Sequence, residues 1–256
     1  MFQSEIAFAE KLADASGDVV LTYFRTPVRV DDKADASPVT IADRESERVM
    51  REMIRAAYPH HGIIGEEYGR ENENAEFAWV LDPIDGTKSF ITGKPVFGTL
   101  IALLHNGLPV LGIINQPYTR ERWVGAKGRR TTLNGREIAT RQGVPLEKSV
   151  LYTTGGRGMF SEEEQERFNV LESRVKLTRY SADSYAYGLL ALGCVDIVCE
   201  AGMKLYDYAA LVPVVEGAGG FMSDWEGRPL GASSDGRVLA LGDRELFGAV
   251  AGALDT

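Results

Sequence analysis

The chain has 256 residues, 44% hydrophobic and 25% charged, the profile of a soluble globular protein with room for one large or two modest domains. With 37 acids against 28 bases its formal net charge is −9, which argues against nonspecific binding to nucleic acid or to an anionic membrane. No apolar run approaches the ~18 residues of a membrane helix, no secretory leader is evident at the N-terminus, and two cysteines are too few for a disulfide scaffold. The expected compartment is therefore the cytoplasm.

Residues 4–24 carry apolar side chains at helical spacing, among them Ile6, Ala9, Leu12, Ala13 and Val20. Ser37-Pro38 then introduces a second helix over 40–58, with Thr40 as a candidate N-cap, Asp43 in the first turn and Pro59 as its stop. Ile63-Ile64 is a short strand-like run before Gly65-Glu66-Glu67-Tyr68-Gly69. Adjacent carboxylates at a strand end repel unless water or a cation screens them. The segment reads either as an exposed acidic loop or as a ligand site.

The next run, Trp79-Val80-Leu81, leads into Asp82-Pro83-Ile84-Asp85-Gly86-Thr87-Lys88. Proline stiffens the backbone, and Gly86 tolerates conformations and close approaches that other residues do not. A rigid turn with two carboxylates and the Thr87 hydroxyl suits hard cations, which take oxygen ligands, and Ile84 can add a backbone carbonyl. An ordinary solvated Asp-Pro turn is the plain alternative.

From 78 to 140 the pattern is β-rich, with runs at 96–104, 108–115 and 121–125; Asn106-Gly107 signals a hairpin, and Asn134-Gly135 a second turn. The pattern loosens between Arg141 and Lys148, which places a boundary between an α+β domain (1–143) and an α/β domain (144–256). The second half alternates: strand 149–154, helix 161–172, strand 175–178, helix 184–193, strand 195–199, helix 206–218, strand 237–241 and helix 243–253. Cys194 and Cys199 lie in an apolar stretch and read as reduced core residues. Asp183 reads as an N-cap of the helix after it. Glu200 ends a strand and reads as a surface acid. Asp207 opens a buried helix, as an N-cap or a metal ligand.

Together, the acids at 66, 82, 85 and 207 would repel strongly if they met, unless divalent cations neutralised them. His60, His61 and His105 have no zinc-ligand company, so the oxygen donors point to Mg²⁺ or Mn²⁺. Paired cations of this kind, ~3.5–4 Å apart, drive in-line displacement at phosphorus. The chain lacks a Walker A loop, a G-x-G-x-x-G and a G-x-S-x-G, which disfavours kinases, dehydrogenases and serine hydrolases.

Over nearly its whole length the chain resembles the inositol monophosphatase family of metal-dependent phosphomonoesterases. The resemblance rests on Pro38-Val39-Thr40-Ile41-Ala42-Asp43, Gly65-Glu66-Glu67, Trp79 through Thr87, and Glu200 through Asp207. One departure is Tyr206, where the family usually has tryptophan. The resemblance implies a layered αβαβα sandwich, a homodimer, and two or three Mg²⁺ per site. Glu66, Asp82 and the Ile84 carbonyl would hold one ion, and Asp82, Asp85 and Asp207 a second. A third would lean on Glu66. Thr87 and Asp43 would orient and deprotonate the attacking water, and the N–H groups of Gly86 and Thr87 would bind phosphate.

Lys88, Phe97 through Ala102, and Asp183 through Gly188 look most like the histidinol-phosphate phosphatase subgroup. The resemblance places Glu200, and at a second position Asp183, where the family contacts the organic part of its substrate; two acids there, beyond the metal ligands, suit a substrate with a cationic amine, as histidinol phosphate has. Inositol-1-phosphatase and bisphosphate nucleotidase are the rival substrates, and a noncatalytic metal- or small-molecule-binding module is the rival class. Lys88 and Arg179 are left without a role.

Overall fold

The computed structural model describes residues 2–32, 38–155 and 159–255, so Ser37 lies outside the described residues. Helix α1 (Gln3–Tyr23) is followed by a short antiparallel pair, β1 (Val30–Asp32) and β2 (Pro38–Thr40), and by α2 (Ile41–Ala57). Next come β3 (Gly62–Gly65), β4 (Gly69–Glu71), β5 (Phe77–Asp85), α3 (Thr87–Ile91), β6 (Gly98–His105), β7 (Leu108–Gln116), β8 (Glu121–Ala126), β9 (Thr132–Leu133) and β10 (Arg136–Glu137). These strands form one sheet in the order β10-β9-β8-β7-β6-β5-β3-β4, antiparallel except for the β3–β5 pair. The Asn106-Gly107 and Asn134-Gly135 pairs have positive φ at both residues, the backbone a two-residue hairpin demands.

The second half supplies β11 (Val150–Thr153), α4 (Glu162–Arg174), β12 (Leu177–Tyr180), α5 (Tyr185–Ala191), β13 (Ile197–Glu200), α6 (Leu205–Tyr208), α7 (Leu211–Gly217), β14 (Phe221–Ser223), β15 (Val238–Leu241) and α8 (Phe247–Leu254). Its five strands run β12-β11-β13-β15-β14, with β11 parallel to both neighbours.

Burial sorts these elements into layers. Alternation along β5 sends Trp79 and Leu81 toward α1 and α2, and Ala78 and Val80 toward the other sheet. In β13, Val198 faces that same central layer, while Ile197 and Cys199 face α4 and α8. Helices α5, α6 and α7 fill the space between the sheets. The result is an α/β protein with the αβαβα order of layers. Among the described residues, no helix is long and apolar enough to cross a membrane.

Four expectations change. The helix expected at 206–218 is two helices, because Pro213 has no N–H to give the carbonyl of Ala209, and the chain breaks at Ala209-Ala210. The last helix opens with a 3₁₀ turn at Arg244–Leu246. Cys199 is buried, but Cys194 is exposed, since the chain has left α5 and turned outward at Gly193. The strand expected at 175–178 lies at 177–180 and pairs in register with β11.

Candidate active site and metal centre

The alternation that buries Val80 continues to Asp82, so its carboxylate points into the central layer and only 2% of the residue is exposed. Strand β5 does not stop at the proline. It runs on to Asp85 with an irregularity against β6 between the two aspartates, which turns both acids toward one point. Asp82 Oδ1 accepts the N–H of Ile84 at 3.1 Å, and Asp85 Oδ2 accepts the N–H of Ser184 at 2.6 Å. Gly86 follows at φ +80°, and a Cβ there would lie 2.7 Å from Cγ of Asp183, so only glycine fits.

Thr87 then begins α3, and its hydroxyl lies 3.2 Å from the Ile84 carbonyl and 3.5 Å from Asp43 Oδ1. Asp43 is fully buried in the first turn of α2. Its Oδ2 accepts both the N–H (2.8 Å) and the hydroxyl (2.6 Å) of Thr40, so Thr40 and Asp43 do cap the helix. Beneath the strand, Ser46 and Ser16 lie 2.8 Å apart, Ser16 and Thr99 2.9 Å apart, and Thr99 donates to the Pro83 carbonyl at 2.9 Å. Hydroxyls from α1, α2 and β6 thereby fix the peptide between the two aspartates.

From the second half, Asp207 lies in α6, where its Oδ2 accepts the N–H of Lys204 at 2.6 Å. Oxygens of Asp82, Asp85 and Asp207 all lie within 4.8 Å of one another. Glu66, just past the end of β3, shares a side-chain hydrogen bond with Asp82. Glu200 continues the inward face of β13 and is buried, not a surface acid. Its Oε1 accepts the N–H and the hydroxyl of Thr154, each at 2.9 Å. Asp183 has a left-handed backbone, φ +47°, and its carboxylate caps no helix but accepts the Ser89 hydroxyl at 2.5 Å.

A cleft of about 220 Å³ is lined by Asp85, Asp183, Glu200 and Asp207 together with Thr154 and Met203. Lys88 and Arg179 are both exposed, and neither lines it. Ser89, Thr154 and Ser184, which hold three of the acids, were invisible in sequence, since each partner lies 46 to 99 positions away.

Crowding shows in the electrostatics. Burial, then Glu66, Asp85 and Asp207, push the Asp82 carboxyl well above its usual range. Burial, then Asp183 and Asp207, do the same to Asp85. Burial carries Asp207 to about 7 against the pull of the Lys204 N–H, and Glu200 to about 8 against that of Thr154. Asp43 rises to about 6, again mainly through burial. A buried set of oxygen donors that resists ionisation until positive charge arrives fits a hard divalent cation.

The model of the inositol monophosphatase family matches residues 2–255. The chain is 51% identical over 249 residues to the chloroplastic bifunctional phosphatase IMPL2 of Arabidopsis thaliana, covering 94% of this chain and 72% of that protein. It is 33% identical over 237 residues to a histidinol-phosphatase of Chlorobaculum parvum, covering 92% of each. Among solved structures, the inositol monophosphatase from Zymomonas mobilis superposes with a TM-score of 0.92 at 46% identity, covering 100% of this chain and 99% of that one. A metal-ready carboxylate centre and these full-length likenesses lead to one assignment: the chain belongs to the inositol monophosphatase family, whose members are metal-dependent phosphatases.

Proposed function

We propose that this phosphatase hydrolyses L-histidinol phosphate to L-histidinol and phosphate, with two or three Mg²⁺ per site and Mn²⁺ able to substitute. One observation carries the substrate choice. Two acids beyond the metal cluster, Asp183 and Glu200, line the same cleft as Asp85 and Asp207, with no Lys or Arg among its described lining residues. Such a cleft suits a phosphate ester with an ammonium group at its other end. An uncharged polyol brings those acids no opposite charge, and a nucleotide bisphosphate meets them with like charge. The two named relatives that are a histidinol-phosphatase and a bifunctional phosphatase support the reading.

In this reading Glu66, Asp82 and the Ile84 carbonyl hold one cation, and Asp82, Asp85 and Asp207 hold another. Bound cations lower the pKa of the attacking water and screen the phosphate dianion. The chain itself does the rest. Thr87 and Glu66 orient the water, and Asp43 takes its proton through the Thr87 hydroxyl, toward which its Oδ1 is directed. The N–H groups of Gly86 and Thr87 hold the phosphate oxygens as charge builds on them. Asp183 and Glu200 hold the amine. Water attacks phosphorus directly and no phosphoenzyme forms.

The test is kcat/KM measured side by side on L-histidinol phosphate, inositol 1-phosphate and a 3',5'-bisphosphate nucleotide. The second reading, an inositol-1-monophosphatase, is favoured by the likeness to the Zymomonas mobilis structure. A preference of about tenfold or more for inositol 1-phosphate overturns the substrate and spares the mechanism. Full activity after chelation removes the metal reading, and no hydrolysis of any ester with Mg²⁺ present favours the noncatalytic module. The same reading carries a cytoplasmic homodimer divided at 143/144, which sedimentation velocity, cell fractionation and limited proteolysis check.

A further inference from the structure

Helix α2 buries an acid that the reaction scheme above does not use. Glu47 has no exposed surface, and Arg51, one turn on, is 2% exposed. Asp43, Glu47 and Arg51 stand at i, i+4 and i+8, so they form one buried polar stripe along a helix that also buries Ala42, Ser46, Met50 and Ile54. Burying a carboxylate costs several kcal/mol unless it is paired and hydrogen-bonded.

Glu47 is fully engaged. Its Oε2 accepts the N–H of Glu67 at 2.7 Å, and its Oε1 accepts the N–H of Tyr68 at 3.1 Å and the Nε–H of Arg51 at 2.7 Å. Arg51 in turn donates to Glu71 Oε1 at 2.7 Å and to the Gly69 carbonyl. The pair therefore grips the turn from β3 to β4 at Glu67 and Tyr68 and the start of β4 at Gly69 and Glu71, and that turn carries Glu66. Contact is close enough that a Cβ on Gly65 would lie 2.0 Å from Glu47 Oε1.

We infer that Glu47, neutralised by Arg51, is a positioning residue for the metal centre. It fixes the backbone on the C-terminal side of Glu66 and so sets where the Glu66 carboxylate meets Asp82. One helix thus spaces Asp43, which takes the proton, from the turn that carries Glu66. The inference rests on the reading of Glu66 as a metal ligand.

Three measurements test it. The first is amide hydrogen exchange on the metal-free wild-type protein. The N–H groups of Glu67 and Tyr68, although in a surface turn, exchange as slowly as those of the β5 core. Rapid exchange there overturns the inference, whatever the variants do. The second is Mn²⁺ affinity by titration calorimetry for the double substitution E47M/R51M, which replaces the ion pair with apolar volume and so preserves folding. Mn²⁺ binds roughly 10–100-fold more weakly, as for other losses of a ligand's support. E47Q/R51M, which keeps one acceptor oxygen, recovers part of the loss. A folded E47M/R51M with wild-type affinity overturns the inference. The third is E66Q. Unchanged Mn²⁺ affinity in E66Q defeats the ligand reading itself, whereas weakened binding in E66Q with wild-type binding in E47M/R51M defeats only the role of Glu47.

Discussion

The two ends of the candidate site are built differently. At the metal end three acids are placed by their own neighbours, Asp82 by the N–H two residues on, Asp43 by Thr40 and Asp207 by the N–H of Lys204, while Asp85 is held by the Ser184 N–H, 99 positions away. At the far end they are placed by distant chain: Asp183 by Ser89, 94 positions away, and Glu200 by Thr154, 46 positions away. Local placement makes most of the metal end a property of short segments. Long-range placement makes the far end a property of tertiary packing: Ser89 and Asp183 join the two halves, Thr154 and Glu200 join neighbouring strands of one sheet, and Asp85, held by the residue after Asp183, links the two ends.

The sharpest way to break this contrast is at Asp82. Replacing Asp82 with Asn removes the carboxylate common to both proposed cation sites. We expect kcat/KM to fall on the order of 10³-fold for every ester, about 4 kcal/mol of transition-state stabilisation. The melting temperature of the metal-free protein should rise, because one of several repelling buried acids is gone. Comparable activity, or a metal-free protein that melts lower, breaks the account of the metal end.

A smaller effect separates the ends. Glu200→Gln and Asp183→Asn each remove one acid and keep its shape. Loss of a charged hydrogen bond costs about 1.5–3 kcal/mol, roughly 10- to 100-fold. That loss should appear in kcat/KM for L-histidinol phosphate and be nearly absent for glycerol 2-phosphate. Equal losses on both esters remove the amine from the argument.

The smallest effect lies outside the cleft and tests whether the α1/α2 layer responds to pH on its own. His61 stacks between Tyr58 and Phe77, with ring centroids 4.6 and 5.3 Å away, and its Nδ1 has no partner. Burial lowers its pKa below the ordinary value, with Glu5 opposing. The unfolded chain then takes up the proton first. The contribution of neutral His61 is complete above the unfolded pKa of ~6.5 and is lost as pH falls through the lower folded value. In melting curves from pH 7.5 to 5, the wild type should lose slightly more stability than His61→Phe. Parallel curves refute this.

Legibility follows the same division. The D-P-I-D-G-T segment could be read because proline, glycine and two acids act on one another within six residues. Helices α1 and α2 and the Asn-Gly hairpins were legible for the same reason. The break at Ala209-Ala210 could have been found, since Pro213 was in plain view inside the expected helix. Asp183 and Glu200 could be named as candidates, but their burial could not, because Ser89 and Thr154 are remote. Glu47 carries no local signal that sets it apart from Glu45 or Glu52 on the same helix. Its burial depends on the turn after β3 folding back over α2, which no local pattern announces.

The hydroxyls beneath the proline carry one more consequence. Each has a single proton to give. Thr99 spends its own on the Pro83 carbonyl, so it must receive from Ser16, and Ser16 must receive from Ser46. Polarity therefore runs one way, from α2 through α1 to β6 and β5. A carbonyl with no proton of its own dictates the orientation of a serine three links away, and any tilt of that peptide is transmitted to the helix that carries Asp43.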